Sequence, residues 1–340
     1  MTAMNRQVRL RSRPTGIPQA DHFDLAEAPL GPLAEGRFRV CNAYLSVDPA
    51  MRGWVSAVGN YSKPVGIGEV MRAFAVGRVV ESRHPDYAVG ERLVGMFGWQ
   101  EFADADGKDV IRRVREDDQP LSTQLGVLGM NGVTALLGLT LVGAPQPGET
   151  VVVSTAAGSV GATVGQVAKI LGCRTVGIAG GAAKVQLCRE EFGYGAAIDY
   201  KAAPDLSAAV AAACPAGVDV YFDNTAGPVS DAVLPHLAQG ARVVVCGTAA
   251  VAHWDPPPTG PRVERHLLVK RARMQGFLYF DHVAQADAAI ERLAGWVREG
   301  RLRYREEILD GLEQAPDAIA GLYRGENLGK RLIRVGPAEA

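Results

Sequence analysis

The segment Thr150-Val151-Val152-Val153-Ser154-Thr155-Ala156-Ala157-Gly158-Ser159-Val160-Gly161, followed by the largely apolar run 162–171, constrains the fold of this chain more than any other. A short β-branched strand runs into a turn of the form A-x-G-x-x-G and then into a helix, the local context that a dinucleotide fingerprint requires. Gly158 would let the backbone approach a pyrophosphate, and Gly161 would let the helix pack closely on the strand. The helix start, Ser159-Val160-Gly161, would offer N–H donors and a partial positive charge to the anion. Ala156 stands where the first glycine of the usual pattern would be.

The pattern repeats downstream. Strands are expected at 150–154, 174–179, 197–199, 218–222, 242–246 and 275–280, most of them separated by helices at 160–171, 182–192, 206–213 and 230–238. Each of these helices stops close to a glycine or proline, a C-terminal signal. Strand, helix, strand in repetition predicts an α/β fold with a doubly wound parallel sheet, the Rossmann architecture. One more amphipathic helix is expected over 282–299, with Val283, Ala286, Ile290, Leu293 and Val297 on one face. Upstream the texture differs: short runs at 38–43, 75–82 and 92–97 are broken by Gly, Pro and Asp at close spacing, which predicts a β-rich region. At 340 residues the chain exceeds what one core usually organises, so two domains are expected. Glycine, 40 of 340 residues, is about 12% of the chain against a usual share of about 7%; turns and close approaches of this kind use it.

The second strand bears on cofactor choice. An NAD site usually carries an acid near its end to hold the ribose 2′-hydroxyl. Here the strand ends in Gly180-Gly181, no acid follows before Glu190, and Lys184 stands three residues on. A 2′-phosphate would meet no carboxylate there and could pair with the lysine, so NADP(H) is favoured over NAD(H). Tyr200, after the third strand, could complete the phosphate pocket.

Other chemistries are argued against by composition. Lys plus Arg number 36 and Asp plus Glu 37, a net charge of −1, so no global field draws the chain to nucleic acid or to an anionic membrane. The basic group Arg262, Arg265, Lys270, Arg271 and Arg273 lacks interleaved aromatics and reads as a solvated helix rather than an RNA site. The charge-free stretch 119–148 imitates a membrane span, but its glycines and Asn131 favour a buried connecting helix at about 132–142. Four arginines precede the first acid, yet the alternation of Val8 and Leu10 with Arg9 and Arg11 predicts an edge strand rather than a transit peptide. The five cysteines are scattered, with no C-x-x-C pair, and read as ordinary thiols of a reducing cytoplasm. Cys41 and His84 alone cannot supply a zinc set with an open position, so no metal is expected. A metal-free nicotinamide enzyme without a strong general base suits hydride delivery to an activated double bond, where the enone carbonyl already makes the β-carbon electrophilic.

A series of stretches runs in order along the chain: Leu45 to Gly53 (L-S-V-D-P-A-M-R-G), Gly68 to Met71, Gly98 to Phe102 (G-W-Q-E-F), Leu128 to Ala135, Ala156 to Gly161, Tyr221-Phe222-Asp223-Asn224, Cys246-Gly247 and Asn327-Leu328-Gly329-Lys330. In these stretches, and over nearly its whole length, the chain resembles the zinc-independent, NADPH-dependent alkenal double-bond reductases and prostaglandin reductases of the medium-chain dehydrogenase/reductase superfamily. The resemblance implies a GroES-like β-rich catalytic domain over 1–127, a Rossmann domain over 128–305, a return to the catalytic domain over 306–340, an active site in the cleft and a homodimer. It implies that Gly158 to Gly161 hold the pyrophosphate, Lys184 and Tyr200 the 2′-phosphate, and that Asn224 lies beside the cofactor. It further implies that Cys246, Gly247 and Thr248 follow the nicotinamide half, that Phe277, Leu278 and Tyr279 meet the carboxamide through their backbone, and that Asn327 reaches the cofactor from the tail.

Departures fall at the substrate end. Family members commonly carry tyrosines where this chain has Ala50 and Ala252. Tyr61 then becomes the best remaining hydroxyl donor to the carbonyl oxygen, and His253 or Trp254 would fill the space beside Ala252. The expected activity is reduction of the C=C bond of a small α,β-unsaturated aldehyde or ketone. The resemblance implies that the pro-R hydride goes to the β-carbon, while a cofactor ribose hydroxyl, with Tyr61, would hold the enolate oxygen and solvent would protonate the α-carbon. Quinone reduction by the same hydride route and an NADPH-binding protein with an RNA or partner role are the alternatives.

Overall fold

In the computed structural model, which describes residues 4–57, 62–115, 119–251 and 256–336, the N-terminal region is antiparallel because its apolar residues alternate. β1 (Met4–Leu10) buries Val8 and Leu10 completely and pairs with β2 (Phe23–Pro29), where Arg9 faces Asp24 in register. β3 (Phe38–Ser46) is buried almost throughout and leads to the short helix α1 (Met51–Val55). β4 (Ala75–Ser82), β5 (Arg92–Gly95), β6 (Phe102–Ala105) and β7 (Val110–Arg113) complete the forward part of this sheet.

The parallel sheet follows. α2 (Met130–Leu137), with a π-helical extension to Gly143, forms the buried connector expected near 132–142. β8 (Thr150–Ser154), α3 (Ser159–Ile170), β9 (Arg174–Ala179), α4 (Ala182–Glu190), β10 (Ala196–Asp199), α5 (Leu206–Ala213), β11 (Val218–Asp223), α6 (Gly227–Val233), β12 (Leu237–Val245), α7 (Glu264–Lys270), β13 (Arg273–Gly276) and α8 (Ala286–Arg298) then run in order. All six strands are parallel, in the spatial order β10-β9-β8-β11-β12-β13. The order reverses between β8 and β11, the topological switch point of a doubly wound sheet. One face packs Val152, Val176, Ile178, Val210, Val233 and Val243 into a continuous apolar core.

The chain then returns to the first sheet. β14 (Glu306–Asp310) and β15 (Lys330–Arg334), joined through α9 (Ala315–Arg324), extend it to the order β14-β15-β3-β4-β5-β7, with β6 paired to β3. By internal contacts the chain forms two compact units, 1–125 with 306–340, and 126–305.

Several elements differ from the sequence-based expectation, among them β12, expected over 242–246, which already starts at Leu237. The helix expected over 230–238 starts at Gly227 and ends at Val233, followed by one 3-10 turn, because Pro235 lacks the N–H that a continuing helix needs. The strand expected over 275–280 lies at Arg273–Gly276 and stops where its partner β12 ends, at Val245. The helix expected from 282 begins at Ala286; His282 leaves helical geometry and stacks its ring on Phe277, centroids 4.8 Å apart. Among the described residues no helix is long and apolar enough to cross a membrane.

Candidate functional site

The glycine turn after β8 is shaped by two close approaches and one strained residue. Thr155 adopts φ +53°, a left-handed conformation that a β-branched residue rarely takes. Such strain is characteristic of a backbone held for a purpose. A Cβ on Gly161 would lie 2.2 Å from the Thr155 carbonyl oxygen and 2.9 Å from the Ala156 Cα, so only glycine lets α3 sit this close to the turn. Gly158 is the N-cap of α3 and provides no side-chain cap, nor does the first turn contain an acid. The leading N–H groups of a twelve-residue helix are thus left to an external anion. A pyrophosphate fits this cradle.

The neighbouring strand ends contribute the rest. After β9, Gly181 opens α4 with φ +95°, and the Lys184 N–H closes that first turn on the Gly181 carbonyl at 3.1 Å. Tyr200, just beyond β10, lays its ring over Gly180; a Cβ there would be 2.8 Å from the ring Cε1 and 3.0 Å from the hydroxyl. After β11 the side chain of Asn224 donates to the Ser154 carbonyl at 2.7 Å, and its own N–H donates to Ser154 Oγ at 2.8 Å. Gly247 approaches the Asn224 carbonyl so closely that a Cβ would lie 2.9 Å from it. After β13 the Phe277 N–H continues the ladder to the Val245 carbonyl at 3.0 Å, Leu278 is extended, and Tyr279 is buried.

Gly158, Ser159, Val160, Gly161, Lys184, Tyr200, Asn224, Cys246, Gly247, Thr248, Phe277, Leu278 and Tyr279 therefore all lie at or just beyond the carboxyl ends of the six parallel strands. In open α/β sheets that rim is where a dinucleotide lies. Asn327 belongs to the other unit, where its amide donates to the Gly329 carbonyl at 2.9 Å. Tyr61 and His253 lie outside the described residues.

One residue in this rim escaped sequence reasoning as a structural hub. Asp223, 3% exposed, receives on Oδ1 the hydroxyl of Tyr221 at 3.1 Å, Ser154 Oγ at 3.2 Å and the N–H groups of Thr225 and Ala226, each at 2.9 Å. Its Oδ2 accepts from Ser230 Oγ at 2.5 Å, and its carbonyl accepts from Cys246 N at 2.8 Å. One carboxylate thereby joins the ends of β8 and β11 to α6, its backbone adds the end of β12, and together they hold Ala226 at φ +56°. The half-buried Cys246 thiol is pushed up to about 12 by burial, with the nearby Asp223 charge adding to the effect. It stays a thiol at neutral pH.

In the first unit the Leu45–Gly53 segment is anchored by a buried ion pair. Lys330 Nζ, on the return strand β15, donates to Asp48 Oδ1 at 2.8 Å, Ser46 Oγ at 2.6 Å and the Val47 carbonyl at 2.9 Å. This fixes the segment leading to Ala50 and α1. Tyr323 adds a bond to the Pro49 carbonyl at 2.6 Å, and the Arg52 guanidinium lies over its ring.

A family described as the N-terminal domain of oxidoreductases matches residues 6–112, and one described as zinc-binding dehydrogenase matches 159–295. The chain is 44% identical over 336 residues to the NADPH-dependent curcumin reductase of Escherichia coli strain K12, covering 97% of each. It is 37% identical to the NADP(+)-dependent 2-alkenal reductase of Nicotiana tabacum, again over 97% of each. The chain belongs to the medium-chain dehydrogenase/reductase family of alkenal and enone reductases. Among solved structures, the NADPH complex of CurA from Vibrio vulnificus superimposes with a TM-score of 0.90 at 40% identity, covering 98% of this chain and 99% of that one. Quinone oxidoreductase from Escherichia coli, at 17% identity and a TM-score of 0.79, shares the fold. Despite the second family's description, no group of three or more His, Cys, Asp or Glu among the described residues is arranged to hold a metal ion. Cys41 is instead a strand residue whose thiol is raised by burial, and His84 packs edge-on against Phe38 and Tyr87.

Proposed function

We propose that the protein is an NADPH-dependent reductase of the C=C bond of α,β-unsaturated aldehydes or ketones. The observation that carries this is its full-length likeness to a curcumin reductase and a 2-alkenal reductase, joined to a strand-end rim that fits a dinucleotide. NADPH, when bound, supplies the hydride that goes to the substrate β-carbon. The uncapped start of α3, at Gly158, Ser159, Val160 and Gly161, binds the pyrophosphate. Lys184 and Tyr200 bind the 2′-phosphate. Asn224, Cys246, Gly247 and Thr248 line the nicotinamide half, and the backbone of Phe277, Leu278 and Tyr279 takes the carboxamide. Asn327, in the C-terminal return, is the further candidate for a cofactor contact. The oxyanion that develops at the substrate carbonyl would be held by a cofactor ribose hydroxyl, with Tyr61 and His253 as the candidate side chains to assist it. Solvent delivers the proton to the α-carbon, so the net change adds H⁻ and H⁺ across one double bond.

Unit 126–305 is the cofactor domain and the other unit the catalytic one. Five free cysteines, all with thiols raised by burial, suit a reducing cytoplasm. The partner is a small molecule rather than a nucleic acid. A second copy of the chain would cover the β13 edge: all four residues of that strand, Met274 among them, are exposed, and Leu268, Val269, Phe280 and Val283, close to it in the chain, are exposed apolar side chains. An exposed edge strand, with its unpaired N–H and C=O groups, invites pairing.

The test is NADPH oxidation with a panel of 2-alkenals, enones and quinones. Enones should be turned over, faster than quinones, and Lys184→Ala should raise the NADPH dissociation constant by about tenfold or more while barely moving that for NADH. No turnover of any enone by protein with demonstrated NADPH binding would overturn the proposal.

A further inference from the structure

The acid missing from the end of β9 is supplied by the end of β10. Asp199, the last residue of β10, turns back along the sheet edge so that Oδ1 accepts from the Gly181 N–H at 2.8 Å and from the Lys201 N–H at 3.0 Å. Each bond fixes one of the two segments assigned to the 2′-phosphate. The first holds the Gly180-Gly181 turn, which starts α4 and carries Lys184. The second holds the Tyr200-Lys201 segment, whose ring covers Gly180 and whose Tyr200 N–H is bonded to the Ala179 carbonyl at 3.1 Å. The Gly181 N–H, followed by those of Lys201 and Ala202, keeps the carboxyl below its ordinary range, so it is ionised at neutral pH.

Two consequences of one side chain then oppose each other. As an acceptor, Asp199 builds the pocket. As an anion, it sits beside the place assigned to a second anion. The bonds from Gly181 and Lys201 fall on a single oxygen, Oδ1, and an asparagine Oδ1 can also accept from two N–H groups, each more weakly than a carboxylate does. The shape of the pocket therefore needs the acceptor and not the charge. We infer that Asp199 is the positioning and specificity residue of the 2′-phosphate pocket, shaping it as an acceptor while its charge restrains the preference for NADPH over NADH. This rests on the assignment of Lys184 and Tyr200 to the 2′-phosphate.

Direct titration of NADPH and NADH, followed by the fluorescence of the bound nicotinamide, separates the two roles in wild type, Asp199→Asn, Asp199→Ala and Lys184→Ala. Asp199→Asn should bind NADPH about three- to tenfold more tightly than wild type, with the gain shrinking at high salt, because a like charge has gone. NADH should change less than about twofold, since it lacks the phosphate. Asp199→Ala should weaken NADPH by about tenfold, because both N–H groups lose their acceptor. An Asn variant that binds NADPH no more tightly than wild type overturns the inference, as does a shift of equal size for both cofactors. Lys184→Ala weakening NADPH and NADH equally would instead overturn the pocket assignment itself, so the two failures are distinguishable.

Discussion

Glu306 shows how much a single position can depend on its surroundings. It opens β14 directly opposite Lys330 in the ladder, and its Oε1 has no hydrogen-bond partner. Burial pushes its carboxyl above the ordinary range, offset in part by the Ser122 hydroxyl and the Lys330 charge. A carboxyl raised in the folded state contributes stability below its unfolded pKa, and that stability is lost as pH rises through the folded value. Glu306→Gln is neutral at every pH, so it should melt above wild type at about pH 8 by roughly 2 °C, the equivalent of about 1 kcal/mol or less. The gap should close near about pH 4, where wild type is protonated as well. Melting curves across that range check it; a gap of the same size in acid would assign the effect to packing. Nothing in the local sequence Arg305-Glu306-Glu307 marks Glu306 as the one with a buried, unpartnered carboxyl oxygen.

At the scale of elements, the junction of β8 and α3 is where local sequence and packing agree most closely. Gly161 is required by the approach of α3 to the Thr155 carbonyl, and the same closeness directs the helix start at the strand-end rim. Tyr194 reinforces it: its hydroxyl donates to the Gly161 carbonyl at 2.6 Å, and its ring occupies the room left by Gly165, where a Cβ would lie 2.1 Å from Cζ. Burial holds the Tyr194 phenol well above its usual range, so it remains a donor. Gly161→Ala should cost about 1–3 kcal/mol in urea unfolding, as overpacked sites do, and should weaken NADPH by about tenfold as α3 is pushed off the turn. Full stability with unchanged cofactor affinity would show that the turn is softer than its contacts indicate. Glycine enrichment here has a spatial meaning, since several of these residues make room for a neighbouring side chain or backbone.

For the whole molecule, the exposed edge of the parallel sheet is the feature that a single chain leaves unresolved. Leu268 is 77% exposed and Val269 52%, beside a four-residue strand that is exposed throughout. The proposed second copy would cover this edge. Sedimentation at micromolar concentration should give twice the 36.0 kDa chain mass, and the double substitution Leu268→Glu, Val269→Glu should give the monomer with cofactor binding retained. A wild-type monomer under those conditions would remove the dimer. The first unit depends on a different long-range link: Lys330 and Asp48 are far apart in sequence, and their buried pair ties the last strand to the motif before α1.

Sequence alone determined the succession of elements, the doubly wound order and the glycine turn, because each is written in short-range signals. Strands of β-branched residues, helix stops at glycine and proline, and the spacing of Gly158 and Gly161 all act within one turn or one strand. It also indicated the preference for NADPH, through an acid absent from the end of the second strand. Tertiary structure decided what depends on distance: that Asp199 comes back to Gly181, that Asp223 joins three strand ends and a helix, that Lys330 is buried against Asp48, and that β13 stands bare at an edge. These partners come from separate strands and helices, and a side chain's charge, burial and hydrogen bonds are set by what folding brings beside it rather than by its neighbours in the chain.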